Sequence, residues 1–327
     1  MVRAETTVPD FDDLPELGGL RHSWGIWGEN DRLGAVNLIT PERTLAASRL
    51  IQDGVIVPLD WSLRMPRPPL FGRAAYQSEL ERRSPTSQDE YIHQFNAQSS
   101  SQWDGFRHVR SVAHGYYNGR EDEDHGVEFW ADHGLVTRAV LADVQGWRRA
   151  VGRPIEGGAP DPISASDITS TLSWEGVTLQ TGDVLLVRSG WIEWYLRQGQ
   201  QTRDHIAIPG NLVAPGLKPD EETARFLWNS HVAAVAVDNP AMEVWPLGYE
   251  HSPEDVAALR ADPAREHEIQ LHIRVIPMLG ILVGELFFLE RLAVEAHLRR
   301  RFEFFFSSAP LHLPGGVATP PNAIVVL

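Results

Sequence analysis

Residues 98–108 read QSSSQWDGFRH. A short polar run of Gln and Ser leads into Asp104, and His108 follows four residues later. Trp103, Gly105 and Phe106 are interleaved. Loops that bring a carboxylate and an imidazole this close, held by a rigid scaffold, are where proteins usually place chemistry. Each residue also has a plain structural reading. Asp104 ahead of Gly105 suits an Asx turn, and His108 suits a satisfied hydrogen-bonding histidine.

The pattern on either side predicts an α/β chain. Thr40 reads as an N-cap with Pro41 at the first helical position, and Gly54 reads as the helix stop. The run VIVPLDWSL follows as a strand. LVTRAVLADV (135–144), GDVLLVRSGW (182–191) and AAVAVD (233–238) have the continuous apolar character of strands covered on both faces. SASDITSTLSWEG and KPDEETARFLWNS read as capped helices, the second with acidic residues in its first turn. RFEFFFSS and NAIVVL are strand-like. Residues 65–97, rich in Pro, Ser and Arg, read as a long surface excursion, which in a domain of this kind serves function or subunit contact. Without a repeat or linker, the expectation is an N-terminal arm over 1–22 and one domain over 23–327.

With these landmarks in place, QSSSQWDGFRH resembles the signature H-x-G-T-H-x-D-x-P-x-H of the Putative cyclase family, which includes kynurenine formamidases and isatin hydrolases. Gln98 and Gln102 stand at the two leading histidines, Ser100 at the Gly and Ser101 at the Thr. Asp104 and His108 match, and Phe106 replaces the Pro. WGENDRLGAVNLITPE, GDVLLVRSGW, AVDNPAMEVWP and HIRVIPMLGILVGE are similar to the family's other blocks, in order, over about residues 24–325. The resemblance implies a cyclase-like swivelling β/β/α fold with a mixed sheet, and a homodimer or homotetramer. It also implies a divalent metal held by the residues at the two histidine positions and the Asp, with the last histidine moving protons.

Other residues extend this candidate site. Glu285 lies in the apolar run GILVGELFF, where an isolated carboxylate is costly and calls for a partner, a proton or a cation. His272, thirteen residues earlier, resembles the family's late histidine once a one-residue insertion is allowed, with His267 as its competitor. The candidate metal ligands are therefore Gln98, Gln102, Asp104, His272 and Glu285. That set is rich in oxygen and favours Mn2+ over Zn2+. In the opposite reading the metal is lost, and Gln102 donates to a substrate carbonyl while Asp104 and His108 act as an acid–base pair. Trp103, Ser101, His114, Tyr117 and Asn118 are candidates to line the substrate pocket, the last three from HGYYNG.

Composition narrows the function class. The chain has 327 residues, 43% of them hydrophobic, with a formal charge of −15. That charge repels nucleic acid and anionic membranes. With no cysteine, thiolate metal sites and a Cys nucleophile are excluded. Val275 to Leu289 is too short and too interrupted for a bilayer, which needs about 20 mainly apolar residues. No nucleophile elbow, Walker or dinucleotide fingerprint occurs. The expected protein is a cytoplasmic enzyme acting on a small molecule, hydrolysing an amide or lactone with a metal-polarised carbonyl and His108 transferring protons. Its alternatives are a metal-independent cyclase or dehydratase using Asp104 and His108, and a non-catalytic binding protein of the same fold.

Overall fold

Val184–Val187 and Ala234–Val237 each bury all four of their apolar residues, as central strands covered on both faces must. A computed structural model describes residues 7–327 and places these two strands at the middle of a nine-stranded mixed sheet. Across the sheet the strands run Ala318–Thr319, Gln102–Asp104, Leu282–Glu285, Ala234–Val237, Val184–Val187, Leu135–Ala142, Glu303–Ser308, Ala323–Val326 and Ile56–Pro58. The four strands from Leu282–Glu285 to Leu135–Ala142 are mutually parallel. The outer pairs on both sides are antiparallel. This is the mixed α/β single domain that the patterning predicts.

The helices start where their caps dictate. Ser164 and Asp167 form a reciprocal capping box on helix Ala165–Glu175, and Gly176 closes it in the left-handed region. Asp220 caps Glu221–Asn229 through the Thr223 amide. Thr40 accepts from the Arg43 amide at the start of Pro41–Ser48, but this helix stops at Ser48, well short of Gly54. The reason is a competing partner. The Asp53 and Gly54 amides both donate to the Leu327 carbonyl, so Gly54 turns the chain against the last strand instead of ending the helix.

The N-terminal segment expected as an irregular arm is anchored where it is described; residues 1–6 lie outside the described residues. Phe11 and Leu14 are buried, and Trp228 Nε1 donates to the Pro9 carbonyl at 2.8 Å. The surface excursion folds into an antiparallel hairpin, Gln77–Ser84 with Ser87–Gln94, which stands apart from the main sheet and is largely exposed. No helix among the described residues is long and apolar enough to cross a membrane.

One glycine couples the core to the strand that matters most below. A Cβ on Gly284 would lie 2.6 Å from Phe287 Cε2, 2.7 Å from Trp103 Cζ3 and 2.9 Å from Ala236 Cβ. Gly284→Ala should therefore lower stability by about 1–3 kcal/mol through overpacking, read as a shifted urea midpoint at constant slope. An unchanged midpoint would mean that the aromatic layer yields freely.

Candidate active site

Alternation along one short strand sets the geometry. Gln102 and Asp104 project to one face of Gln102–Asp104, and Trp103 projects to the other. Register with the neighbouring strand pairs Gln102 with Glu285 and Trp103 with Gly284. Gln102 Nε2 thus donates across the pair to Glu285 Oε2 at 2.8 Å and to Asp104 Oδ1 at 3.0 Å. Gln98, in the loop before the strand, donates to the same Asp104 oxygen at 3.1 Å.

His108 and His272 complete the cluster. Gln98 Nε2 lies 2.9 Å from His108 Nδ1. The same amide nitrogen lies 3.3 Å from His108 Nε2, which faces Asp104 Oδ1 at 3.9 Å. His272 comes from the helical turn Leu271–Ile273, which continues through Arg274–Met278 with wider bonding; the Leu279 amide reaches back to Arg274. Widened turns of this kind recur at functional sites. His272 Nδ1 lies 2.6 Å from Glu243 Oε2, and its Nε2 lies 3.2 Å from Glu285 Oε1 and 4.0 Å from Asp104 Oδ2. The Met242 amide donates to Glu285 Oε1 at 2.9 Å.

Electrostatics follow from this crowding. Burial disfavours a charged His272, but Glu243 and Glu285 on either side outweigh it and hold its pKa well above the ordinary imidazole range. Burial, and then the Asp104 charge, push the Glu285 carboxyl upward, with His272 opposing them. Three carboxylates, Asp104, Glu243 and Glu285, are buried around one buried imidazole. Buried charges need partners. Two buried oxygens of the cluster accept no hydrogen bond among the described residues: Asp104 Oδ2 and Gln102 Oε1.

These orphaned oxygens test the fit of a metal, and the residues pass. Ligand atoms of Asp104, His108 and His272 all lie within 4.8 Å of one another, and the local excess of negative charge favours a cation. Asp104 Oδ2, Gln102 Oε1 and His272 Nε2 are the natural donors, with His108 at the edge of the cluster. Gln98 uses its amide nitrogen to bridge Asp104 and His108.

The site residues expected from sequence are thus gathered: Gln98, Gln102, Asp104, His108, His272 and Glu285. Among the described residues no contact joins His267 to them; it sits in the separate turn Glu266–Glu268. The expected pocket-lining residues are placed otherwise. Trp103 is fully buried on the far face, against Phe287, with Nε1 donating to Ser308 Oγ at 2.9 Å. Ser101 Oγ donates to the Leu286 carbonyl at 2.6 Å and accepts from the Trp61 amide, pinning the loop. Tyr117 is buried against Phe106, with its hydroxyl donating to Asp31 at 3.1 Å. Asn118 accepts from the Gly25 amide, and the His114 ring packs where a Cβ on Gly18 would fall. A surface cavity of about 620 Å3 bounded by Trp27, Arg32 and Phe129 involves none of the clustered residues.

Glu243 is the residue that sequence reasoning missed. It lies within AVDNPAMEVWP, flanked by Ala241, Met242, Val244 and Trp245, an apolar setting like that of Glu285. Only the return of the chain beside Leu217 brings it to His272. A carboxylate on the second ring nitrogen fixes the tautomer and aims Nε2 at the cluster.

Known proteins agree with this architecture. A family model described as "Putative cyclase" matches residues 42–244, a span that includes Gln98, Gln102, Asp104, His108 and Glu243. A solved structure described as a novel cyclase is similar with a TM-score of 0.78 at 27% identity, covering 94% of this chain and 99% of its own. Isatin hydrolase A from Labrenzia aggregata, solved with benzyl benzoate, is similar with a TM-score of 0.55 at 17% identity, covering 88% and 98%. Isatin hydrolase A from Ralstonia solanacearum is similar with a TM-score of 0.55 at 17% identity, covering 88% and 97%. At that identity the two hydrolases show a common fold. Among curated proteins none matches. With well over half of its length matched by the family model, and its fold shared with a solved cyclase, the chain belongs to the Putative cyclase family.

Proposed function

We propose that the protein hydrolyses an amide or a lactone, open or cyclic, with a divalent metal at the cluster. The observation that carries this reading is the pair of orphaned buried oxygens, on Asp104 and Gln102, beside the Nε2 of His272. Asp104, Gln102 and His272 would hold the metal, with Glu285 bordering it and His108 left free at its edge. When bound, a divalent cation polarises a carbonyl and lowers the pKa of water.

The chain's own residues account for the rest. Water oxygen adds to the acyl carbon, the C–N or C–O bond breaks, and the products are a carboxylate and an amine or alcohol. His108 is the most exposed ionisable member of the cluster, with 24% of its side chain accessible, and can take the proton from water and return it to the leaving group. Gln98 can serve both tautomers of His108, since rotation of its amide offers either a donor or an acceptor. Glu243 keeps His272 in one orientation throughout. The metal-independent alternative has its own support: Gln98 and Gln102 already donate to Asp104 Oδ1.

Dialysis against EDTA separates the two. It should abolish hydrolysis, and Mn2+ should restore it better than Zn2+, because the oxygens of Asp104, Gln102 and Glu285 outnumber the imidazole of His272. Full activity in protein shown by elemental analysis to hold no metal would sink the metal-dependent reading.

A further inference from the structure

Acyl hydrolysis releases a carboxylate, and the buried carboxylates of this site repel one. Besides any metal held there, a cationic side chain favours that anion, and Arg73 is placed next to the site. Its Nη1 donates to the backbone carbonyl of Gln98, the residue whose side chain bridges Asp104 and His108. The guanidinium lies 5.0 Å over the ring of Phe71. Phe71 is itself held at φ 57° and packs edge-on against Trp245, two residues beyond Glu243, at 5.1 Å. An aromatic face therefore braces the guanidinium beside the site. Its charge reaches Glu285, acting against the upward push of burial and Asp104.

Arg73 is also unspent. Arg188, by contrast, is locked by Asp143, Glu193 and Glu290. For Arg73 the described residues supply a backbone carbonyl and a ring, and no carboxylate within ion-pair distance. A half-buried guanidinium with donors to spare matches the two oxygens of a carboxylate.

We propose that Arg73 is the anion-binding residue of the site, holding the carboxylate that acyl hydrolysis releases. The source of the anion rests on the hydrolase reading above; the binding itself does not. Benzoate and benzamide are matched in shape and differ in charge, so they make the test. By titration calorimetry on the metal-loaded protein, benzoate should bind about tenfold more tightly than benzamide, the scale of a charge-assisted pair. Arg73→Met should erase that preference while keeping metal content and thermal midpoint. Arg73→Lys, which keeps the charge and loses the planar fork, should retain part of it. Equal binding of the two probes by the parent protein, or an undiminished benzoate preference in Arg73→Met, overturns the assignment. If every amide and lactone tried goes unhydrolysed while the Arg73-dependent preference persists, the hydrolase reading fails and the anion site stands.

Discussion

Replacing His108 by Asn is expected to lower turnover by about 10²–10⁴-fold, the usual share of general acid–base catalysis. The expectation rests on position. His108 is the more exposed imidazole of the cluster, and its ring is held by the Gln98 amide and an edge contact with His272. Asn keeps a polar group of similar reach but cannot exchange a proton near neutral pH. The fold should survive, because His108 lies outside the hydrophobic core. Elemental analysis of the variant is the informative companion to the rate. Metal retained with turnover lost identifies a proton carrier, whereas metal lost with it identifies a ligand. A variant within a few-fold of the parent would make His108 structural.

Asp104→Asn is expected to damage metal content and rate together. Asp104 Oδ1 already accepts from two amides, so Oδ2 is the oxygen left to meet a cation, and it is buried without a partner. An amide at this position is a neutral and poorer donor. Affinity should fall by at least the ~10–100-fold that disturbing an outer-shell partner already costs. Competition with a fluorescent chelator measures it directly, alongside turnover. If the Asp104→Asn protein holds metal as tightly as the parent, Asp104 leaves the donor set.

How far the site was legible follows from which contacts are local. Gln98, Gln102, Asp104 and His108 lie within eleven residues, and alternation in a strand is enough to put Gln102 and Asp104 on one face. Glu285 and His272 could be suspected because a carboxylate and an imidazole stand out in apolar runs. Glu243 also stands in an apolar run, AMEVW, but only its bridge to Leu217 shows that it meets His272. Arg73 carries no such mark: it is one arginine in a surface excursion until its loop folds back on Gln98. The opposite error arose at Trp103. Lying inside the motif suggested a pocket residue, but the same alternation that presents its neighbours turns its indole into the core. The central strands were legible because continuous apolar runs have few alternatives. The helix end at Ser48 was not, because the competing partner of Gly54 is the distant Leu327.

The sheet order has a consequence for how the protein is made. Strand Gln102–Asp104 is held on one side by Leu282–Glu285 and on the other by Ala318–Thr319. Every residue of the cluster has left the ribosome by the time Glu285 emerges, yet the strand bearing Asp104 still lacks its outer neighbour. Domains fold as units during synthesis, and pairings this distant in the chain form late. A nascent chain arrested before residue 318 would therefore hold all its chemistry and little of its geometry. On the reading proposed above, competence to bind a cation should arrive abruptly with the final segment, and stalled translation products should neither sequester metal nor hydrolyse substrate.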